Sequence, residues 1–478
     1  VNSVLLEHGH EEYRNKLARL GLPVFNVQEM ISNVDNVDSG AEDLLFKTGQ
    51  AVFAEHLLLN TLPKDVADSH LSGDLHITNP GIWSLLPDTI FLNVKELIED
   101  GLDLKGKSLG VTRITSTKDL DSLTTSLSMV ISLVSKETSQ EVVMDGLVSL
   151  LSKHSKDISD LEIRLANAFS TASTSSKYGK SPTLVSFLVQ LGSDTKIIKT
   201  ILSAYKEHVK ITPIPKIGLI IDYEKGKITD VSDVLSEIIA LGGQILFTKE
   251  QTSNKGVLRV DIKNAGTTSI KLQSLSINLP RLAFESNKDE TYFRARLALL
   301  MKPALSSMSL RKKDISDLTR RGLNPILASN TQYMQRGSVS LVINLVGLHE
   351  AVFNILGHES NKEGKDILYK VIDTAVSVAK KKGKETGDTI NVCMIESEGS
   401  NRFATLDGEK YGKTSVLKTL DGESYSEGIV FDAGEISGFS AKSDKIVECN
   451  KMAKMLDGGL LTKIKFSTDA KADKIKTI

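Results

Sequence analysis

Apolar positions recur at three- to four-residue spacing through the first sixty residues: Leu17, Leu20, Val24, Val27 and Ile31, then Ala51, Phe53, Leu57 and Leu58. This spacing predicts helices over 1–60. The pattern breaks over 63–93, where three prolines and several glycines predict loop with short extended pieces. Helical spacing returns from Asp119 to about His154. Leu123, Leu127, Val130, Leu133 and Val134 form one stripe, and Val142, Val143, Leu147, Leu150 and Leu151 form a second. Two such stripes in tandem predict a helical hairpin packed on the core, with pairing to a second subunit as the alternative.

Beyond residue 180 the text alternates. Short runs rich in branched residues at 183–191 (TLVSFLVQL), 217–222 (IGLIID) and 245–247 predict strands, separated by helical text such as 231–241 (VSDVLSEIIAL), which ends in Gly-Gly. The theme repeats as a strand at 338–347, a helix at 348–357, a long helix at 363–383 and a strand at 389–395 (TINVCMI). Strands alternating with helices predict a mostly parallel sheet or barrel. No internal repeat of fixed period and no separable second domain are evident.

Composition narrows the function. The 478 residues are 40% apolar and 25% charged, and 59 Lys plus Arg nearly cancel 60 Asp plus Glu. No global field draws the chain to nucleic acid or to an anionic membrane. The lysine run 380–384 falls at a helix carboxyl end, where cations oppose the helix dipole. Two cysteines, Cys393 and Cys449, are too few for a disulfide framework or a cysteine-only metal site and suit a reducing compartment. No run of 18 apolar residues occurs and the amino terminus lacks a leader pattern, so a cytoplasmic protein is expected.

The common catalytic signatures, GxxxxGK[ST], HExxH, GxSxG and paired CxxC, are absent. His70 and His76 match no usual metal spacing and read as satisfied loop histidines, so no metal is expected. Two strand exits are more informative. After 389–395 comes ESEGSNRF, a Ser/Gly-rich turn of the kind whose N–H groups receive phosphates at the carboxyl end of a sheet. Asn278-Leu-Pro-Arg281 is a second strand exit, where an exposed arginine could clamp an anion. An ordinary turn and a surface arginine are the plain alternatives.

Together these passages resemble the large chain of the anaerobic (class III) ribonucleoside-triphosphate reductases, which are glycyl-radical enzymes. LPKDVADSHLSGDLHI at 62–77 is similar to that family's LP, AH and GDIHIHDL passage, and Pro87-Asp88 to the PN that follows. SINLPRLAFES is similar to TINLPRIAYE, and 345–357 (LVGLHEAVFNILG) to IGLNEAV followed by glycine. IESEGSNRFATLDGEKYG resembles PAEGxxxRFAxxDxxxYG, and Met455-Leu-Asp-Gly-Gly459 a late GG segment. The resemblance implies a ten-stranded α/β barrel surrounded by helices. One domain would span 1–478, with amino-terminal helices and entrance loop in 1–116, a dimer or effector region in 117–160 and the barrel in 161–478. It also implies a nucleotide pocket lined by His76, Asn278, Arg281, Glu398, Gly399 and Ser400, with ATP or a deoxynucleoside triphosphate as ligand, and a homodimer or larger assembly.

The departures fall on the chemistry. In the family an activated glycine near the carboxyl end oxidises a cysteine on a loop inside the barrel, and the thiyl radical takes the ribose 3′ hydrogen. Asp-Thr-Ile at 88–90 stands where the family has one cysteine, and 249–271, where the barrel-loop cysteine would fall, contains none. Thr78 replaces the second histidine of HIHD, 139–146 lacks the family's GGQ, and no zinc-cysteine quartet or RVxGY radical motif follows Gly459. No catalytic residue is therefore assigned. Three readings stand: a catalytically inactive relative that binds nucleoside triphosphates, a scaffold that reuses the barrel, and an active reductase completed by another chain.

Overall fold

The structure is a computed structural model that describes residues 31–32, 41–104, 111–116, 119–154, 158–174, 183–212, 215–223, 227–248, 269–329, 339–357, 362–416, 424–432 and 444–465. The helical expectation for 1–30 and 33–40, and most of the 249–271 stretch, lie outside the described residues.

One ten-stranded sheet organises the chain. Its strands are β1 (Leu75–Ile77), β2 (Thr89–Asn93), β3 (Glu141–Asp145), β4 (Leu184–Gln190), β5 (Ile217–Asp222), β6 (Gln244–Thr248), β7 (Ser269–Asn278), β8 (Val339–Val346), β9 (Thr389–Met394) and β10 (Gly459–Leu460). Strands β2 to β6 pair in parallel, as do β7 to β10. The two runs meet head to tail where β2 pairs antiparallel with β7 through Thr89–Lys271, Ile90–Ile270 and Phe91–Ser269. β1 lies antiparallel on the other part of β7 and sets His76 opposite Ser276. Among the described residues no pairing joins β6 to β10.

Side chains alternate across this sheet. Ile90, Leu92, Val142, Met144, Val185, Phe187, Leu219 and Ile221 face the helices and belong to the main apolar core. The opposite face carries Phe91, Val143, Leu188 and Ile220 in one cluster and Val342 and Cys393 in another. Polar groups share that inner face: Thr89 and Lys271 are register partners, and so are Thr89 and Glu141.

The helices are α1 (Ala41–His56), α2 (Lys64–Ser72), α3 (Val94–Glu99), α4 (Leu120–Val134), α5 (Leu147–His154), α6 (Ile158–Thr174), α7 (Thr195–Ile211), α8 (Ser232–Ala240), α9 (Leu279–Glu285), α10 (Glu290–Arg320), α11 (Pro325–Ser329), α12 (Leu348–Leu356), α13 (Lys362–Thr386), α14 (Gly399–Tyr411) and α15 (Asp444–Met455). None among the described residues is long and apolar enough to cross a membrane.

The strands expected from residue 183 onward appear as read. Two expectations are corrected. The 119–154 hairpin is α4, then β3, then α5, because Val142 and Val143 lie in a strand covered on both faces, where a continuous apolar run replaces alternation. The Leu123–Val134 stripe is buried within the chain itself, with α4 packed on α6, which is the core packing expected of it. The 63–93 stretch contains a nine-residue helix besides the short extended pieces expected, and β2 and β3 stand in the same sheet as the later strands.

Candidate active site

The site lies where β1, β7 and β9 end. Three of the expected residues meet there. His76 on β1 is buried, and Gly399 opens α14 directly against it: a Cβ on Gly399 would come within 2.7 Å of the His76 Cβ, so only glycine permits this approach. Glu398 precedes Gly399, and burial, then the charge of Asp88, raises its carboxyl above the usual range.

His76 is the least satisfied group. Both ring nitrogens are buried, and among the described residues neither has a hydrogen-bond partner. Burial, then the charges of His70 and Arg402, lowers its pKa to about 3, so the ring is neutral with one donor and one acceptor nitrogen. His70 differs. Its Nδ1 accepts the Ile77 N–H at 3.2 Å, its carbonyl accepts Arg402 Nη2 at 2.5 Å, and burial followed by Arg402 lowers it to about 4. The two histidines expected as satisfied loop residues lie instead on α2 and β1, and of the two only His70 is satisfied. Arg402, one turn into α14, also has a buried Nη1 without a partner among the described residues.

The turn between β9 and α14 is fixed from beneath. Asn344 on β8 accepts the Ile395 N–H at 2.9 Å and donates to the Ile395 carbonyl at 3.0 Å. Ser397 Oγ meets Ser276 Oγ at 2.8 Å and accepts the Gly399 N–H at 3.0 Å, and the Ser400 N–H returns to the Ser397 carbonyl at 3.2 Å. The N–H groups of Gly399 and Ser400 are therefore bonded within the turn and do not form the phosphate cradle expected of them.

Asn278 and Arg281 stand behind this site. Asn278 caps α9 through the Arg281 N–H at 3.2 Å and donates Nδ2 to the Gly73 carbonyl at 2.9 Å and to Asp407 at 3.1 Å. Arg281 is 2% exposed; its Nε donates to Asp407 at 2.6 Å and its Nη1 to the Ser72 carbonyl. The exposed anion clamp is corrected to a buried ion pair, because Asp407 arrives from α14 to neutralise the guanidinium. Tyr425 donates its hydroxyl to the same carboxylate at 2.8 Å, which with burial raises the phenol pKa.

Asp88 opens the 88–90 stretch near which the resemblance puts a thiol. It is 1% exposed and meets Arg311 of α10 through two bonds, Nη1 at 2.5 Å and Nη2 at 2.9 Å, while Ser139 Oγ donates to it at 2.9 Å. Arg311 also donates to the Trp83 and Leu86 carbonyls and lies 5.1 Å over the Trp83 ring. Cys393, fully buried beside Val342, donates to Asn344 at 3.5 Å, and burial pushes its thiol up to about 12. Lys271, on the same inner face, is pulled down to about 8 by burial against the opposing charges of Glu141, Cys393 and Asp88. Zinc of the family's cysteine type finds no donor set: the two cysteines sit on β9 and α15, and no group of three metal-ligating side chains occurs among the described residues.

Sequence reasoning missed Asp407, Ser276, Ser397, Asn344 and the unpaired state of Arg402. Asp407 and Arg402 lie within the quoted RFATLD text, Ser276 opens SINLPRLAFES and Ser397 lies within IESEGSNRF, whereas Asn344 lies outside the quoted passages.

A model of the family described as anaerobic ribonucleoside-triphosphate reductase matches residues 217–477, more than half of the chain. The chain belongs to the anaerobic ribonucleoside-triphosphate reductase family. The reductase of Haemophilus influenzae is 27% identical over 161 aligned positions, with coverage of 29% of this chain and 22% of that relative's length. In fold, the chain is similar to the anaerobic ribonucleotide reductase of Thermotoga maritima in complex with dATP and CTP, with a TM-score of 0.69, 15% identity and coverage of 99% of this chain and 88% of that one. The B12-independent glycerol dehydratase of Clostridium butyricum is similar at a TM-score of 0.53 and 9% identity, covering 96% and 82%. The expected glycyl-radical-enzyme type of α/β fold is therefore the one observed.

Proposed function

We propose that this family member binds a nucleoside triphosphate beside His76 and does not perform thiyl-radical reduction. The observation that carries binding is the pairing of His76, neutral with two unpartnered nitrogens, with the unpartnered Nη1 of Arg402 at the start of a 13-residue helix. A neutral imidazole offers a donor and an acceptor to sugar hydroxyls, and a guanidinium at a positive helix end receives phosphate oxygens. Glu398, with its raised pKa, adds a group able to donate as well as accept. The dATP and CTP held by the Thermotoga maritima protein support this class of ligand.

Inactivity is argued from Asp88. A carboxylate locked to Arg311 offers no weak X–H bond from which a radical could be made, and Cys449 lies on α15 beside Thr462, 3.6 Å away. One observation favours an active reductase instead: Cys393 turns its thiol to the inner face of the sheet. Hydrogen-atom abstraction requires a thiol within reach rather than a thiolate, so the two readings separate by assay.

Calorimetric titration with ATP, dATP and CTP tests the proposal. Saturable binding at micromolar concentration, lost in His76→Ala and weakened in Arg402→Met, is the expected result. No heat from a folded sample would discard nucleotide binding in favour of a scaffold. Deoxynucleotide formed with an activase and formate, and abolished by Cys393→Ser, would discard inactivity.

A further inference from the structure

A strap at 424–428 crosses the β9–α14 turn, and the functional reading above does not use it. Two carboxylates fix its near end. The Tyr425 hydroxyl donates to Asp407 and its N–H to the Ser400 carbonyl, at 2.8 and 3.4 Å; the Ser426 N–H and hydroxyl donate to Glu350 of α12, at 2.8 and 2.6 Å. Gly428, at φ +84°, ends the strap where a Cβ would sit 2.2 Å from the Leu461 carbonyl oxygen. Between these anchors the strap's own Glu427 faces the turn. Its Oε1 accepts the Ser397 N–H at 3.0 Å, and its Oε2 lies 3.2 Å from Lys463 Nζ, which also holds Glu396 at 2.8 Å.

Ser397 joins this strap to the site. Its hydroxyl reaches Ser276, the register partner of His76. The Gly399 and Ser400 N–H groups bond to atoms of the turn itself, whereas the Ser397 N–H bonds to a carboxylate brought from thirty residues away. A charge-assisted N–H to carboxylate bond is the same interaction that a phosphate oxygen would make there.

We propose that the strap is an autoinhibitory element in which Glu427 acts as an internal anion on the Ser397 N–H, and that an oligophosphate bound beside His76 and Arg402 takes this donor and releases the strap. This deepens the nucleotide-binding reading and rests on it for the position of the ligand. Two costs oppose the ligand while Glu427 is seated: loss of the existing bond and repulsion between its carboxylate and the phosphate. A glutamine at 427 keeps an acceptor oxygen for Ser397 and removes the charge.

The test titrates wild type and Glu427→Gln with inorganic tripolyphosphate and with ATP, and follows amide hydrogen exchange over 395–400 and 424–432. The expected result is binding about ten-fold tighter in Glu427→Gln, since a charge-assisted bond is roughly twice as strong as a neutral one. In the wild type, ligand should raise exchange across 424–432 while protecting 395–400. Equal or weaker binding by the variant, with strap exchange unmoved by ligand, overturns the proposal. Tripolyphosphate that releases the strap without any ATP binding upholds it and removes the nucleotide reading. ATP binding equally to both proteins over an unmoved strap does the reverse, and no anion binding to either removes both. Should Glu427→Gln fail to fold, the wild-type exchange measurement decides alone.

Discussion

Among the described residues two arginine–aspartate pairs are buried, and they differ in what surrounds them. Arg281–Asp407 ties α9 to α14, and its carboxylate is shared with Asn278 and Tyr425. Arg311–Asp88 ties α10 to the approach to β2, and its guanidinium is shared with the Trp83 and Leu86 carbonyls. In the first the anion has several donors; in the second the cation has several acceptors. The first joins two passages that resemble family motifs, NLPR and RFATLD. The second sits near where the resemblance expects a thiol. Motif residues that look like ligand contacts can thus hold the scaffold together, and Asp88, in the passage similar to the family's PN, is tied into a pair of its own.

Breaking the pairs should give unequal effects. Arg311→Ala strips the bonds to Trp83, Leu86 and Asp88 and removes the cation from a buried carboxylate, which costs about 3–5 kcal/mol for breaking a buried pair. Urea unfolding would measure it, and a loss below about 1 kcal/mol would mean that Asp88 finds other donors. Arg281→Ala should cost less, about 1.5–3 kcal/mol, because Asp407 keeps Asn278 and Tyr425. If Arg281→Ala proves the costlier, the contrast between shared anion and shared cation is wrong.

Replacing both members of one pair sharpens the comparison. Arg311→Met with Asp88→Leu should recover most of the single-variant loss, to within about 1 kcal/mol of wild type, since well-packed apolar pairs often equal buried ion pairs. The same exchange at Arg281 and Asp407 should recover less, because Asn278 and Tyr425 would each lose an acceptor.

The effects of pH appear only toward the ends of the range, and they run in opposite senses. The pKa of His76 is lowered on folding, to about 3, so its contribution is present above pH 6.5 and is lost as pH falls through about 3. Glu137, which accepts the Ile326 and Leu327 N–H groups at the start of α11, is raised by burial to about 7. Its contribution is present below about 4.5 and is lost as pH rises through about 7. Stability curves of His76→Phe and Glu137→Gln should therefore diverge from wild type at the acid and the neutral end respectively; a His76→Phe curve parallel to wild type below pH 6 would contradict the buried neutral ring.

Much of the fold was legible because its strands alternate with helices over local stretches. Strand β5 occupies the residues read from IGLIID, and α12 and α13 lie within one to three residues of their expected limits. β3 was not legible, since EVVMD is covered on both faces and its apolar run matches a helical stripe as well as a strand. Of the candidate site, His76, Glu398 and Gly399 were found through motifs and do converge. Arg281 was misjudged because its partner lies 126 residues away, and no local pattern marks a cation as buried. The donors around Ser397 were invisible for the same reason: Ser276 is 121 residues distant.

Among the described residues β2 and β7 meet through three antiparallel pairs, whereas each run on either side keeps a parallel ladder. A change of strand sense inside one sheet is a place where local opening can begin. On heating, amide protection in β3–β5 and in β7–β9 should be lost at different temperatures, with the Thr89–Phe91 strip yielding with whichever goes first.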